Sequence, residues 1–94
     1  MLVLNVTYDV KPGLRDEFYA KVKELGVPEG SRAEAGNRKY EYFFAVDNVD
    51  RIFLLEHWQD QAAFDLHIQM DYFIKLQEIK NEYVANTTIE RYEI

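Results

Sequence analysis

The chain has no cysteine among its 94 residues. Disulfides, thiolate metal sites and cysteine nucleophiles are therefore excluded. Proline occurs twice and glycine four times, the glycines widely scattered. No glycine-rich loop exists to cradle a phosphate or a dinucleotide. Two histidines, His57 and His67, stand too far apart for HxH or HxxxH spacing. A metal site needs three converging ligands, so none is expected. No apolar run approaches the ~20 residues of a membrane span. The opening Met1-Leu2-Val3-Leu4-Asn5 lacks the basic region and long apolar core of a signal peptide. The expectation is a cytoplasmic protein without a membrane partner. Positive charge is also scarce: 11 Lys and Arg against 17 Asp and Glu, a net charge of -6. Such a surface repels phosphate backbones and argues against nucleic acid. Arg32, Arg38 and Lys39 come nearest to a basic cluster. Glu34 and Glu41 interleave with them, and the group reads as a solvated loop.

Apolar and aromatic residues are what the chain does have, at 48% and 15%. A single domain of this size buries on the order of 60–65% of its surface. Part of that apolar surface is therefore expected to meet a partner. Residues 2–10 alternate, with Leu2, Leu4, Val6, Tyr8 and Val10 on one side. That period of two marks a strand, ended by Lys11-Pro12-Gly13. Leu14, Phe18, Val22 and Leu25 recur at helical spacing over 14–25, with Gly26 as a stop. The stretch from Pro28 to Gly36 suits either a short helical turn or a loop. Alternation returns over 38–46 and again over 51–58, with the turn-rich Asp47-Asn48-Val49-Asp50 between. Both faces of 51–58 are mostly apolar, which suits a central strand. Residues 60–83 read as helix with a break near Gln69-Met70-Asp71, and 87–94 as the last strand. The order β-α-β-β-α-β is the split β-α-β, ferredoxin-like arrangement. It implies an α+β domain spanning 1–94, a four-stranded antiparallel sheet with helices on one face. The bare face is expected to pack on a second copy as a homodimer.

Chemistry concentrates in Leu55–His67. Glu56 and Trp58 share a strand face, Asp60 is placed to cap the next helix, and His67 lies two turns in. A histidine on an inner helix face is either a general base or a core residue bonded to a backbone carbonyl or to Glu56. Glu56, on a central strand, must be paired; it either orients His67 or accepts from a backbone amide near the helix start. Trp58 either walls a pocket for a flat ligand or is plain core. Asn5, on the less apolar face of the first strand, either holds a substrate oxygen or faces solvent. His57 points away from Trp58 by strand alternation. Tyr40, Tyr42, Tyr72 and Tyr83 supply further hydroxyls.

These segments together resemble the antibiotic biosynthesis monooxygenase (ABM) family, including its small quinol monooxygenase-like members. The resemblance rests on Val3–Val10 with Lys11-Pro12-Gly13. It continues through Ser31-Arg32-Ala33-Glu34-Ala35-Gly36-Asn37 with Tyr40. It ends on Glu56-x-Trp58-x-Asp60-x-x-Ala63-x-x-x-His67 with Phe73 beyond. It implies a dimeric α+β barrel of ferredoxin-like subunits. It also implies oxidation of a small quinol or polyphenol by O₂ without metal, flavin or other cofactor. On that pattern His67 is the base, Asn5 and Tyr72 hold substrate oxygens and Trp58 forms a wall. Some relatives degrade haem through a histidine ligand in the second helical segment. That position falls near Gln77, and no histidine stands there. Two other readings fit the same residues: an isomerase of a small keto or sugar-derived compound, and a binding or structural dimer without catalysis.

Overall fold

A computed structural model describes all 94 residues, Met1–Ile94. Its elements run β1 (Leu2–Val10), α1 (Arg15–Glu24), α2 (Val27–Ala33), β2 (Asn37–Phe44), β3 (Arg51–Trp58), α3 (Gln61–His67), α4 (Asp71–Tyr83) and β4 (Val84–Glu93). The sheet order is β2-β3-β1-β4, all antiparallel. This is the expected ferredoxin-like arrangement, with each helical crossover divided into two helices. The stretch left open between turn and loop is α2. Gly26 separates it from α1, and Pro28 falls in its first turn, where no intrahelical N–H is needed. The break foreseen near residue 70 parts α3 from α4. The last strand starts at Val84 rather than 87, because α4 runs into it without a loop. Lys11 holds this junction: its amide donates to the Tyr83 carbonyl and its Nζ to that of Glu82, each at 2.8 Å.

The sheet's two faces differ as alternation requires. Leu2, Leu4, Val6, Tyr8 and Val10 of β1 are buried beneath the helices with Ile52, Leu54, Glu56 and Trp58 of β3. Phe18 and Val22 of α1, together with Leu76 of α4, close this core from above. Each such apolar side chain contributes about 1.5–3 kcal/mol on burial. The opposite face carries Val3, Asn5 and Thr7 of β1 beside His57, Leu55 and Phe53 of β3. Phe43 of β2 stacks on Phe53 there and is 46% exposed. Tyr92 of β4 lies opposite Val3 and is 47% exposed. No helix is long and apolar enough to cross a membrane.

Candidate active site

His67 is the last residue of α3, and its side chain is 1% exposed. Three local features carry it inward. Asp60 caps α3, accepting from the Ala63 amide at 2.9 Å. The Gln59 amide donates to the Gly36 carbonyl at 2.8 Å, tying the β3–α3 turn to the start of β2. Gly36 lets Ala63 of α3 approach, since a Cβ at position 36 would overlap the Ala63 methyl.

Aromatic rings surround the imidazole. Trp58 stands nearest, with ring centroids 4.5 Å apart, then Phe73 at 5.2 Å and Tyr40 at 5.6 Å. Phe64 and Tyr72 complete the shell at 6.0 and 6.3 Å. Phe64, Tyr72 and Phe73 are half-buried and separate the ring from solvent. Two surface cavities, of about 280 and 140 Å³, lie elsewhere, the first between Arg15 and Asp50, the second between Tyr19 and Arg32.

One polar contact reaches into this box. His67 Nδ1 is 2.7 Å from Glu34 Oε2, and the Glu34 side chain is 9% exposed. A carboxylate only accepts, so Nδ1–H donates and the Nε2 lone pair remains for a proton. Burial pulls His67 below its ordinary value of 6.5, against the opposing pull of Glu34. The resting ring is thus neutral near pH 7. The Tyr72 hydroxyl also donates to Glu34 Oε2. Burial and the Glu34 carboxylate both push that phenol well above its ordinary range, so it stays a donor.

Glu34 is the residue that sequence reasoning missed. It sat among Arg32, Arg38 and Lys39 and read as part of a solvated loop. In fact it ends α2 and is held by a turn, its amide donating to the Ser31 carbonyl and its carbonyl accepting from Asn37. Arg32 is likewise engaged, Nε donating to the Tyr40 carbonyl at 2.8 Å. The one signal for Glu34 lay in the Ser31–Asn37 segment of the family pattern, to which no role was attached.

Glu56 requires a correction. It touches neither His67 nor a backbone amide at the helix start. Its Oε1 accepts from Trp58 Nε1 at 3.0 Å. Alternation explains this, since residues 56 and 58 project from the same face of β3. Burial raises the Glu56 carboxyl to about 7, with the Trp58 bond and Lys80 pulling the other way. Lys80 of α4 is itself lowered by burial and lies 5.2 Å from the Tyr8 ring centroid. Asn5 is separated from His67 by the sheet, facing the open side between Leu55 and Glu90. Its odd position in β1 places it there by alternation. Trp58 and Tyr72 do join His67. His57 lies on the open face, as its place two residues after Leu55 requires. No group of three His, Asp or Glu side chains is close enough together to hold a metal ion.

A family model for antibiotic biosynthesis monooxygenase matches residues 1–79. The "Putative monooxygenase YcnE" of Bacillus subtilis is 37% identical over 73 residues, 78% of this chain and 75% of that protein. A Pseudomonas aeruginosa protein of known structure is 25% identical, with TM-score 0.88 over 99% of this chain and 92% of its own. A solved "antibiotic biosynthesis monooxygenase" has the same fold, at 24% identity and TM-score 0.88, over 100% of this chain and 98% of that one. The chain belongs to the antibiotic biosynthesis monooxygenase family.

Proposed function

We propose that the chain is a cofactor-independent monooxygenase that oxidises a small quinol or polyphenol with O₂. The observation that carries this reading is the Glu34–His67 pair. Glu34 at 2.7 Å holds the imidazole in the tautomer whose free Nε2 accepts a proton. The aromatic shell supplies an apolar setting for a flat ring. His67 takes the phenolic proton, and the electron-rich anion passes an electron to O₂ and recombines with it. One oxygen atom enters the ring and the other leaves as water, turning a hydroquinone into a hydroxyquinone. A positive imidazolium beside Glu34 stabilises the anion as it forms. Trp58 lies against His67 as a wall for the substrate ring.

The working unit in this reading is a homodimer joined through the open sheet face. Val3, Phe43, Phe53 and Leu55 form its apolar centre. Asn5 would then serve the interface rather than the substrate.

The test is oxygen uptake with a panel of naphthohydroquinones and polyphenols, without added metal or flavin, comparing the native chain with His67→Ala. Uptake that depends on His67 is expected. A rate no higher than substrate autoxidation in every case would defeat the oxygenase reading. One observation favours a competing, purely structural dimer: no open cavity reaches His67. Native and His67→Ala proteins that bind every quinol equally and consume no oxygen would support that role.

A further inference from the structure

Two buried oxygens lie at the Tyr72 phenol: Glu34 Oε1, which has no hydrogen-bond partner, and Ser31 Oγ, whose polar neighbour is the Tyr72 hydroxyl. Both belong to the end of α2, and Ser31 is fully buried. Buried polar atoms are rarely left unpaired without a reason. They flank one side chain, the Tyr72 phenol, whose hydroxyl donates to Glu34 Oε2 with Ser31 beside it. The ring of Tyr72 lies on the backbone of α2 at Gly30. A Cβ at that position would sit 2.7 Å from the Tyr72 ring. Gly30, Ser31 and Glu34 thus form a slot that accepts an aromatic ring against the α2 backbone and meets its hydroxyl with a carboxylate. That carboxylate is the one that orients His67.

Tyr72 is only half-buried, and it stands in the first turn of α4 just after the break between the two helices. It is one of the three rings between His67 and solvent. It is also the ring whose departure would free an acceptor within reach of the imidazole.

We propose that Gly30, Ser31 and Glu34 form a phenol-binding subsite that Tyr72 fills in the resting chain, and that an incoming phenolic ring binds by replacing it. The protein's own phenol marks the ligand class: a flat ring with one hydroxyl directed at Glu34. A second hydroxyl or a bridging water would satisfy Glu34 Oε1, and Ser31 Oγ would meet the ligand hydroxyl as it meets that of Tyr72. The role of this subsite in turnover rests on the oxygenase reading; its ligand chemistry is open to a test that needs no turnover.

The probe is 4-methylphenol, the side chain of tyrosine as a free molecule, with toluene as the control that lacks the hydroxyl. Calorimetric affinities are compared for the native chain, Tyr72→Ala and Tyr72→Phe, with thermal unfolding to confirm that each is folded. Tyr72→Ala is expected to bind 4-methylphenol at least about tenfold tighter than the native chain does. It should also prefer it to toluene about tenfold, the effect of a hydrogen bond to a charged acceptor. Adding Ser31→Ala should weaken 4-methylphenol and leave toluene unchanged. Tyr72→Phe keeps the ring but releases Glu34, so its occupant leaves more readily. Its affinity for 4-methylphenol should exceed the native value about threefold or more. Equal binding of toluene and 4-methylphenol by Tyr72→Ala would mean simple cavity filling and overturn the proposal. So would equal affinity in the native chain and either variant. Should Tyr72→Ala fail to fold, Tyr72→Phe decides alone. Loss of all oxygen uptake would defeat the oxygenase reading and leave these affinities standing.

Discussion

Gly36 and Ala63 touch where the β3–α3 turn meets the start of β2, and no side chain larger than hydrogen fits at position 36 without moving α3. Gly36→Ala therefore pushes α3 outward and carries His67 with it. Overpacking of this kind costs about 1–3 kcal/mol. Thermal denaturation should show a lower midpoint. If the oxygenase reading holds, kcat should fall as well, because His67 is displaced from Glu34.

Glu34 raises the proton affinity of His67 against the larger effect of burial. Glu34→Gln removes that support, so the His67 pKa should fall further and the acid limb of the pH–rate profile should move to lower pH. The amide can also turn a donor toward Nδ1 and leave the wrong tautomer. A loss in kcat on the order of 10–100-fold is expected for this change of partner. An acid limb that stays where it was would show that Glu34 does not govern the imidazole.

Trp58 is the only tryptophan and lies 4.5 Å from His67. Its fluorescence is therefore a direct reporter of the imidazole charge. Acidification should quench it with a midpoint below 6.5, the direction in which burial shifts His67. The transition below 6.5 should vanish in His67→Phe, while that of Glu56, which bonds Trp58 Nε1 and titrates at about 7, should remain. A neutral buried imidazole stabilises the fold above its ordinary value of 6.5, and that stability is lost as pH falls through the depressed folded value.

Glu56 runs in the opposite direction. Its folded value is about 7 against an ordinary 4.5. Its contribution is full below the unfolded value and is lost as pH rises through about 7. Glu56→Gln keeps an acceptor for Trp58 Nε1 without the charge. The variant should be more stable than the native chain at pH 8 by about 1–3 kcal/mol, and the two should converge near pH 4. Parallel urea midpoints across that range would contradict this account.

The open sheet face gives a fifth, independent measurement. Phe53→Asp places a charge at the centre of Val3, Phe43 and Leu55. Sedimentation should find the native chain dimeric and the variant monomeric. A native monomer at every concentration would remove the interface from the proposed function.

Much of this architecture was legible because period-two alternation is a local signal. Leu2 through Val10 and Ile52 through Trp58 announce which face is buried, and the paired strands obey it residue by residue. Asp60 announced the start of α3 through its capping chemistry. What stayed hidden depends on contacts between distant segments. Glu34 and His67 are 33 positions apart, and nothing in the neighbourhood of Glu34 distinguishes a buried carboxylate from a solvated one. Glu56 is the local exception: its partner is Trp58, two residues away on the same strand face, rather than His67 or a backbone amide at the helix start. Asn5 shows the limit of a family pattern: an amide on the first strand serves a site only if its parity points it inward.

The sheet order has a consequence for how the chain reaches this state. β1 is flanked by β3 and by β4, and Leu2 is paired with Glu93. The first strand to be made therefore waits for the last before its second edge is closed. Contacts so distant in sequence slow folding, since loop closure precedes the reward of pairing. A nascent chain stopped after α4 would carry an open β1 edge flanked by Val3, Val6 and Tyr8, a template for another strand. Swapping of the last strand between two copies is the accident to which this topology is most exposed.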